Sequence, residues 1–140
     1  MDQRKVNMLA REYSDAIGRK EDKPIIISHH MLSGLKEGQA KMSKSDPDSA
    51  IFMEDKEEDV RRKIKKAYCP ERVVAGNPIL DYTKNIIFGK EGEFTIRRDA
   101  KNGGDLHYTE YAALEADFVE GRLHPGDLKG NVAEAINRLL

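Results

Sequence analysis

The chain has 140 residues, a length that suits one domain with a real core at the usual scale of about 100 to 200 residues per domain. Twenty-four basic and 25 acidic side chains leave a net charge of −1, so no bulk basic field marks a nucleic-acid binder, and any RNA contact has to come from local patches. The single cysteine, Cys69, excludes an internal disulfide and a multi-cysteine metal site and suits a reducing compartment as a small buried residue. Apolar runs of only a few residues predict neither a signal peptide nor a membrane span, so a cytoplasmic location is the expectation.

Val6, Leu9, Tyr13, Ala16 and Ile17 recur at helical spacing before Gly18, which predicts an amphipathic helix over about 4–17 ended by a glycine C-cap. The β-branched run Pro24-Ile-Ile-Ile-Ser28 predicts a strand that is apolar on both faces, as in a parallel sheet. His29 and His30 follow; the pair lacks a carboxylate or cysteine at ligand spacing, and no metal site is expected.

The stretch Lys36-Glu-Gly-Gln-Ala-Lys41-Met42-Ser43-Lys44-Ser45-Asp-Pro-Asp-Ser49 holds two lysines three apart with two serines beside them in the loop, after a glycine and before a proline turn. Ammonium charge together with hydroxyl and loop-amide donors can grip a polyphosphate. Composition alone also permits a solvated surface loop. Beyond it, Asp55 and Glu58 form a capping-box pattern, with Val60, Ile64, Ala67 and Tyr68 as the buried stripe of a helix. Its first turn is acidic, and Arg61, Arg62, Lys63, Lys65 and Lys66 follow, which complements the helix dipole. Two readings of these cations stay open, a solvated face and a contact with an RNA backbone, and both can hold at once.

Pro70 stops that helix, and Asn77-Pro78 opens another with Ile79, Thr83, Ile86 and Ile87 as its apolar face up to Gly89. Glu93–Arg97 alternates as an exposed strand, and Gly103-Gly104-Asp105 is a turn that returns the chain as a hairpin. Thr109 is the expected cap of a helix that turns Tyr111, Leu114 and Phe118 inward and ends at Gly121. A last helix starts near Pro125 and buries Leu128, Val132, Ile136 and Leu139, with His124 and Asp127 on one face beside its positive end. By spacing alone Asp127 also reads as a cap of this helix, and His124 as the closure of the preceding loop. The fold class expected is mostly α with a small β element.

Lys41-Met42-Ser43-Lys44-Ser45 reads letter for letter as the signature loop of class I aminoacyl-tRNA synthetases. Its flanks, Ser28-His-His-Met-Leu-Ser-Gly-Leu35 and Ile64-Lys-Lys-Ala-Tyr-Cys-Pro70, resemble the archaeal and eukaryotic tyrosyl-tRNA synthetases over essentially the whole chain. The resemblance implies the tail of a Rossmann-like catalytic domain over 1–52 and a helical anticodon-binding domain over 53–140. It implies a loop that closes over ATP, with its Mg2+, and uses Lys41 and Lys44 to stabilise pyrophosphate as tyrosyl-adenylate forms. Met42, Ser43 and Ser45 would join the ATP contacts, and Met31 and Leu32 would pack near adenine. Asp2-Gln3-Arg4-Lys5 resembles a family segment that places Asp2 at the adenylate ribose and Gln3 at the tyrosine.

The segment His124-Pro-Gly-Asp127-Leu-Lys129 resembles the family's reader of the first anticodon base, a guanine. Relatives usually carry Phe or Trp immediately before Gly-Gly to stack on that base, and Asn102 stands here instead, so weaker or less discriminating reading is implied unless Tyr108 or another ring supplies the stack. The partners implied are tRNA(Tyr), with tyrosine and ATP bound only beside the complementary N-terminal half that carries the His-x-Gly-His signature. A homodimer and association with such a half both stay open. So do a stand-alone tRNA-binding module without catalysis and a degraded fragment.

Overall fold

The computed structural model describes residues 2–140, with side chains from residue 3. It contains two compact units, divided after His30, and the whole of 31–52 belongs to the second, whereas the expected domain boundary falls at 52/53.

The first unit is built on α1 (Asp2–Ala16). Gly18 ends it as the sequence predicts, in a left-handed conformation (φ 72°) that lets the Arg19 amide donate to the Ser14 carbonyl at 2.8 Å. A short 3-10 turn, Lys20–Asp22, reverses the chain, Lys23 pairs with Asp15 at 2.8 Å, and Arg11 donates to the Pro24 carbonyl at 2.6 Å. The strand expected over Pro24–Ser28 does not form. A strand exists only through a neighbour that takes its amides and carbonyls, and this run has no ladder among the described residues, with Ile25 88% and Ile27 84% exposed.

The second unit packs α2 (Glu57–Lys66) against α6 (Pro125–Leu139), with α3 (Pro78–Tyr82) and a two-stranded hairpin completing the core. Val60, Ile64 and Ala67 of the expected stripe are buried, and Tyr68 is half-buried. Asp55 does not cap α2; Lys56 holds that position without a side-chain cap. The reason lies inside the stripe: Lys63 is buried beside Val60 and Ile64, and a buried ammonium demands a carboxylate more strongly than a helix end demands a cap. Asp55 meets it at 2.6 Å and also accepts from the Phe52 amide at 2.9 Å, while the ammonium sits 4.7 Å from the Phe52 ring centroid.

Asn77 caps α3 as expected, its side-chain oxygen accepting from the Ile79 and Leu80 amides at 3.1 and 3.3 Å. The helix does not stop at Gly89. The Thr83 hydroxyl donates back to the Ile79 carbonyl at 2.7 Å, a π-helical stretch follows over Thr83–Phe88, and α4 (Gly89–Glu91) carries on to Gly92, whose φ of 76° ends it. Strand β1 (Phe94–Ile96) pairs antiparallel with β2 (Leu106–Tyr108), Thr95 opposite His107. One face of this hairpin is core, since Phe94, Ile96 and Tyr108 are buried. Glu110, not Thr109, precedes α5 (Tyr111–Glu120), which buries Leu114 and Phe118, leaves Tyr111 half-buried and ends at left-handed Gly121. Within α6, Leu128, Val132 and Ile136 are buried and Leu139 is half-buried.

Candidate functional site

Residues 33–35 tie the signature stretch to this core. Ser33 donates its amide to Asp81 at 3.0 Å and accepts from the Tyr82 hydroxyl at 3.3 Å, and buried Leu35 donates to the Ser49 carbonyl at 2.9 Å and accepts from the Tyr68 amide at 2.8 Å. From that anchor the loop projects Lys41, Lys44 and Ser45 into solvent, while Ser43 bonds Ser45 hydroxyl to hydroxyl at 2.8 Å. Met42 turns the other way. It lines an apolar cavity of about 230 Å³ with Leu32, Ile51, Tyr82, Ile86 and Ile136, so Leu32 and Met42 come together, whereas Met31 is 67% exposed and joins neither.

The charges around the loop are sorted. Asp46 pairs with Lys36 at 2.5 Å, and Asp48 pairs with Arg62 at 2.6 Å and Lys66 at 3.9 Å. The Arg62 hydrogen bond holds the Asp48 carboxyl below its usual range against the opposing effect of burial. Asp46 and Asp48 are thus matched by cations outside the signature. Among the described residues Lys41 and Lys44 have no carboxylate partner. On α2, Arg61 lies against Glu57 and Glu134, Arg62 against Asp48 and Asp59, and Lys66 against Asp48, all exposed pairs, and among the described residues Lys65 has no carboxylate partner.

The second candidate segment opens α6. His124 is its N-cap, with Nδ1 accepting from the Gly126 amide at 3.0 Å and Nε2 lying 3.1 Å from Glu71. That arrangement fixes the tautomer with the proton on Nε2, so both ring nitrogens are engaged and the face of a 64% exposed ring is what His124 offers. Asp127, in the first turn, is half-buried, and among the described residues its carboxylate has no hydrogen-bond or ion-pair partner. A groove of about 570 Å³ runs from His124 and Gly126 along Lys65, Lys129 and Gly130.

Asn102 is exposed at the end of the Ala100–Asn102 turn before Gly103 and Gly104, both with positive φ. Residues that sequence reasoning did not single out position this turn. Arg98 donates to the Gly104 carbonyl at 2.5 Å and the Arg122 carbonyl at 2.9 Å, which ties the hairpin tip to the turn leading into His124, and Asn131 of α6 exchanges two hydrogen bonds with the Arg97 backbone at 2.8 and 2.9 Å. Their signal is long-range pairing, which no local pattern carries. Tyr108 does not supply the missing stack: it is buried and donates to Asp117 at 2.8 Å, and its hydroxyl pKa is pushed up by burial and by that bond. Asp117 in turn holds Arg122 at 2.6 Å.

Gln3 is exposed on α1 in the first unit, and the Asp2 side chain lies outside the described residues. His29 and His30 are exposed, and among the described residues no three metal-ligating side chains converge. Cys69 is half-buried, with a thiol pKa raised chiefly by burial. No helix of the described residues is long and apolar enough to cross a membrane.

The family model described as tRNA synthetases class I (W and Y) matches residues 1–140. The chain belongs to that family. It is 59% identical over 140 residues to tyrosine–tRNA ligase 1, cytoplasmic, of Arabidopsis thaliana, covering all of this chain and 36% of that protein. Among solved structures, tyrosyl-tRNA synthetase of Archaeoglobus fulgidus complexed with L-tyrosine superposes with a TM-score of 0.83 at 46% identity, over 99% of this chain and 42% of that one. The Leishmania major tyrosyl-tRNA synthetase in complex with tyrosinol gives 0.78 at 49%, over 99% and 22%. The chain therefore spans well under half the length of these synthetases, each of which is named for tyrosine.

Proposed function

We propose that this chain is the part of a cytoplasmic tyrosine–tRNA ligase that carries the ATP and pyrophosphate loop and reads the anticodon of tRNA(Tyr). The observation that carries this reading is the sorted charge around the loop. Among the described residues Lys41 and Lys44 stand exposed without a carboxylate partner, while the neighbouring cations Lys36, Arg61, Arg62 and Lys66 are paired with Asp46, Asp48, Glu57, Asp59 or Glu134. Two unpaired ammoniums on a loop anchored at both ends suit the charge that builds on a pyrophosphate leaving group as the carboxylate of tyrosine attacks the α-phosphate of MgATP. Leu32 and Met42 offer the adenine an apolar side. Tyrosine itself, with Gln3 and Asp2 at its adenylate, binds only when the complementary catalytic half is present.

On the RNA side, an unpartnered carboxylate at Asp127 is suited to accept from the N1–H and amino group of guanine. His124, with both nitrogens engaged, acts by setting the start of α6 and presenting its ring face. The alternative, a tRNA-binding module without catalysis, draws on the same geometry, because the unit Met31–Leu140 contains the anticodon segment complete. Adding a catalytic half separates the two: restored tyrosine activation that depends on Lys41 and Lys44 supports the ligase, and unaltered inactivity beside firm stem-loop binding supports the module.

The Asn102 position gives the RNA half of the proposal its own test. Asn102→Phe should strengthen binding of a tRNA(Tyr) anticodon stem-loop by about 1–3 kcal/mol, since the tip is exposed and Tyr108 is committed to Asp117. Fluorescence anisotropy of the two proteins with one labelled stem-loop measures this, and equal affinities would place the base away from the hairpin tip.

A further inference from the structure

Ser49 is fully buried, yet it is a polar residue at the end of a charged, largely exposed loop. Its hydroxyl accepts from the Ser43 amide at 3.2 Å and faces two carbonyls as a donor, Asp46 at 2.7 Å and Ser43 at 3.2 Å. Its own amide donates to Asp46 at 2.9 Å, and its carbonyl accepts from buried Leu35. A hydroxyl has one proton and two lone pairs, so this group is satisfied from both sides and closes residues 43–49 into a ring fastened to the core. Ser43 is the middle residue of the signature, between Lys41 and Lys44.

We propose that Ser49 is a positioning residue for the phosphate grip: by accepting from the Ser43 amide and donating to the Asp46 carbonyl it holds Lys41 and Lys44 outward before any ligand arrives. This rests on reading the loop as a polyphosphate site and goes beyond it, because Ser49 is inward and touches no phosphate. The physical gain is preorganisation. Two flexible lysines on an unfastened loop lose conformational freedom when they converge on one anion, and a loop already closed on a buried hydroxyl has lost most of the backbone share. The pairs Lys36–Asp46 and Arg62–Asp48 act in the same sense, drawing the two carboxylates of the ring away from the signature lysines.

The test compares Ser49→Ala and Ser49→Cys with the unaltered 140-residue chain. Cysteine keeps the volume and loses the strong hydrogen bonds, so agreement between the two variants separates hydrogen bonding from packing. Amide exchange at Ser43 should speed up about tenfold in both, with Ile64 and Ile136 unchanged as reporters of the core. Titration with inorganic pyrophosphate, followed at the Lys44 and Ser45 amides, should show affinity about threefold to tenfold weaker in both. Unchanged exchange at Ser43, wild-type behaviour of Ser49→Cys, or unchanged pyrophosphate affinity despite faster exchange each overturns the role of Ser49. Lys41→Ala is the separate control on the underlying reading: if it leaves the titration unaltered, or if the unaltered chain gives no pyrophosphate response, the loop is not a phosphate grip and the inference falls with it.

Discussion

Asp55→Ala should destabilise the helical unit by about 3–5 kcal/mol, the usual cost of leaving one member of a buried ion pair without its partner. Lys63 is 3% exposed and Asp55 12%, so solvent cannot replace the lost carboxylate without opening the start of α2. The same oxygen accepts from the Phe52 amide, so the change also frees a second donor where the chain leaves the signature loop. Urea unfolding measures it, as a fall in the midpoint at constant slope. The double variant Asp55→Ala with Lys63→Met should recover most of the loss, because an apolar pair of similar bulk escapes the desolvation penalty. A loss under about 1 kcal/mol in the single variant would mean that the ammonium reaches water and that the pair is ornamental.

The second large effect concerns chemistry. The 140 residues alone should show no tyrosine-dependent pyrophosphate exchange, because two lysines on a loop cannot replace the orientation of ATP and tyrosine that class I chemistry requires. When a complementary catalytic half restores exchange, Lys41→Ala and Lys44→Ala should each lower it by about 10²-fold, the scale of removing one preorganised donor from developing negative charge. Binding of an anticodon stem-loop should stay within twofold, since neither lysine lies in the segment that opens α6. Exchange by the unaided chain at a rate near that of a whole synthetase would refute the first statement. A parallel fall in stem-loop binding would show that the lysines serve RNA instead of pyrophosphate.

What the sequence revealed and what it hid divide along the range of the interactions. Asn77-Pro78 and His124-Pro125 are local instructions, a cap beside a residue whose φ is already helical, and both helices start where those pairs predict. Gly18 and Gly121 ended helices for the same local reason. The failures involve distant partners. Asp55 reads as a cap until Lys63, eight residues on, proves to be buried; a lysine in a run of five basic residues carries no local mark of burial. Thr83 looked like one more apolar-face position, and its hydroxyl bonding to Ile79 precedes a change of helical pitch. Pro24–Ser28 has strand composition but finds no ladder among the described residues. Of the proposed site, Lys41, Lys44, His124 and Asp127 are read from motif alone, and the residues that hold the surrounding backbone, Ser49, Arg62, Arg98 and Asn131, carry no such mark, because each acts across a turn or between elements.

The exposed Ile25 and Ile27, with Val6, Leu9 and Tyr13 exposed on α1, give the first unit an apolar surface without a core of its own. This suits the proposal that it belongs to a larger catalytic domain, and it explains why the second unit, with its buried Tyr82, Phe118 and Leu128, is the part to test alone with RNA.

The most direct measurement of the central claim is the affinity of the chain and of Asp127→Ala for a set of anticodon stem-loops that differ only in the first anticodon base. The account predicts that the unaltered chain prefers guanine, and that Asp127→Ala weakens the guanine stem-loop by about 1–3 kcal/mol while leaving the other three nearly unchanged. Equal losses for all four bases would assign Asp127 to the start of α6 alone and contradict its role as the reader of guanine.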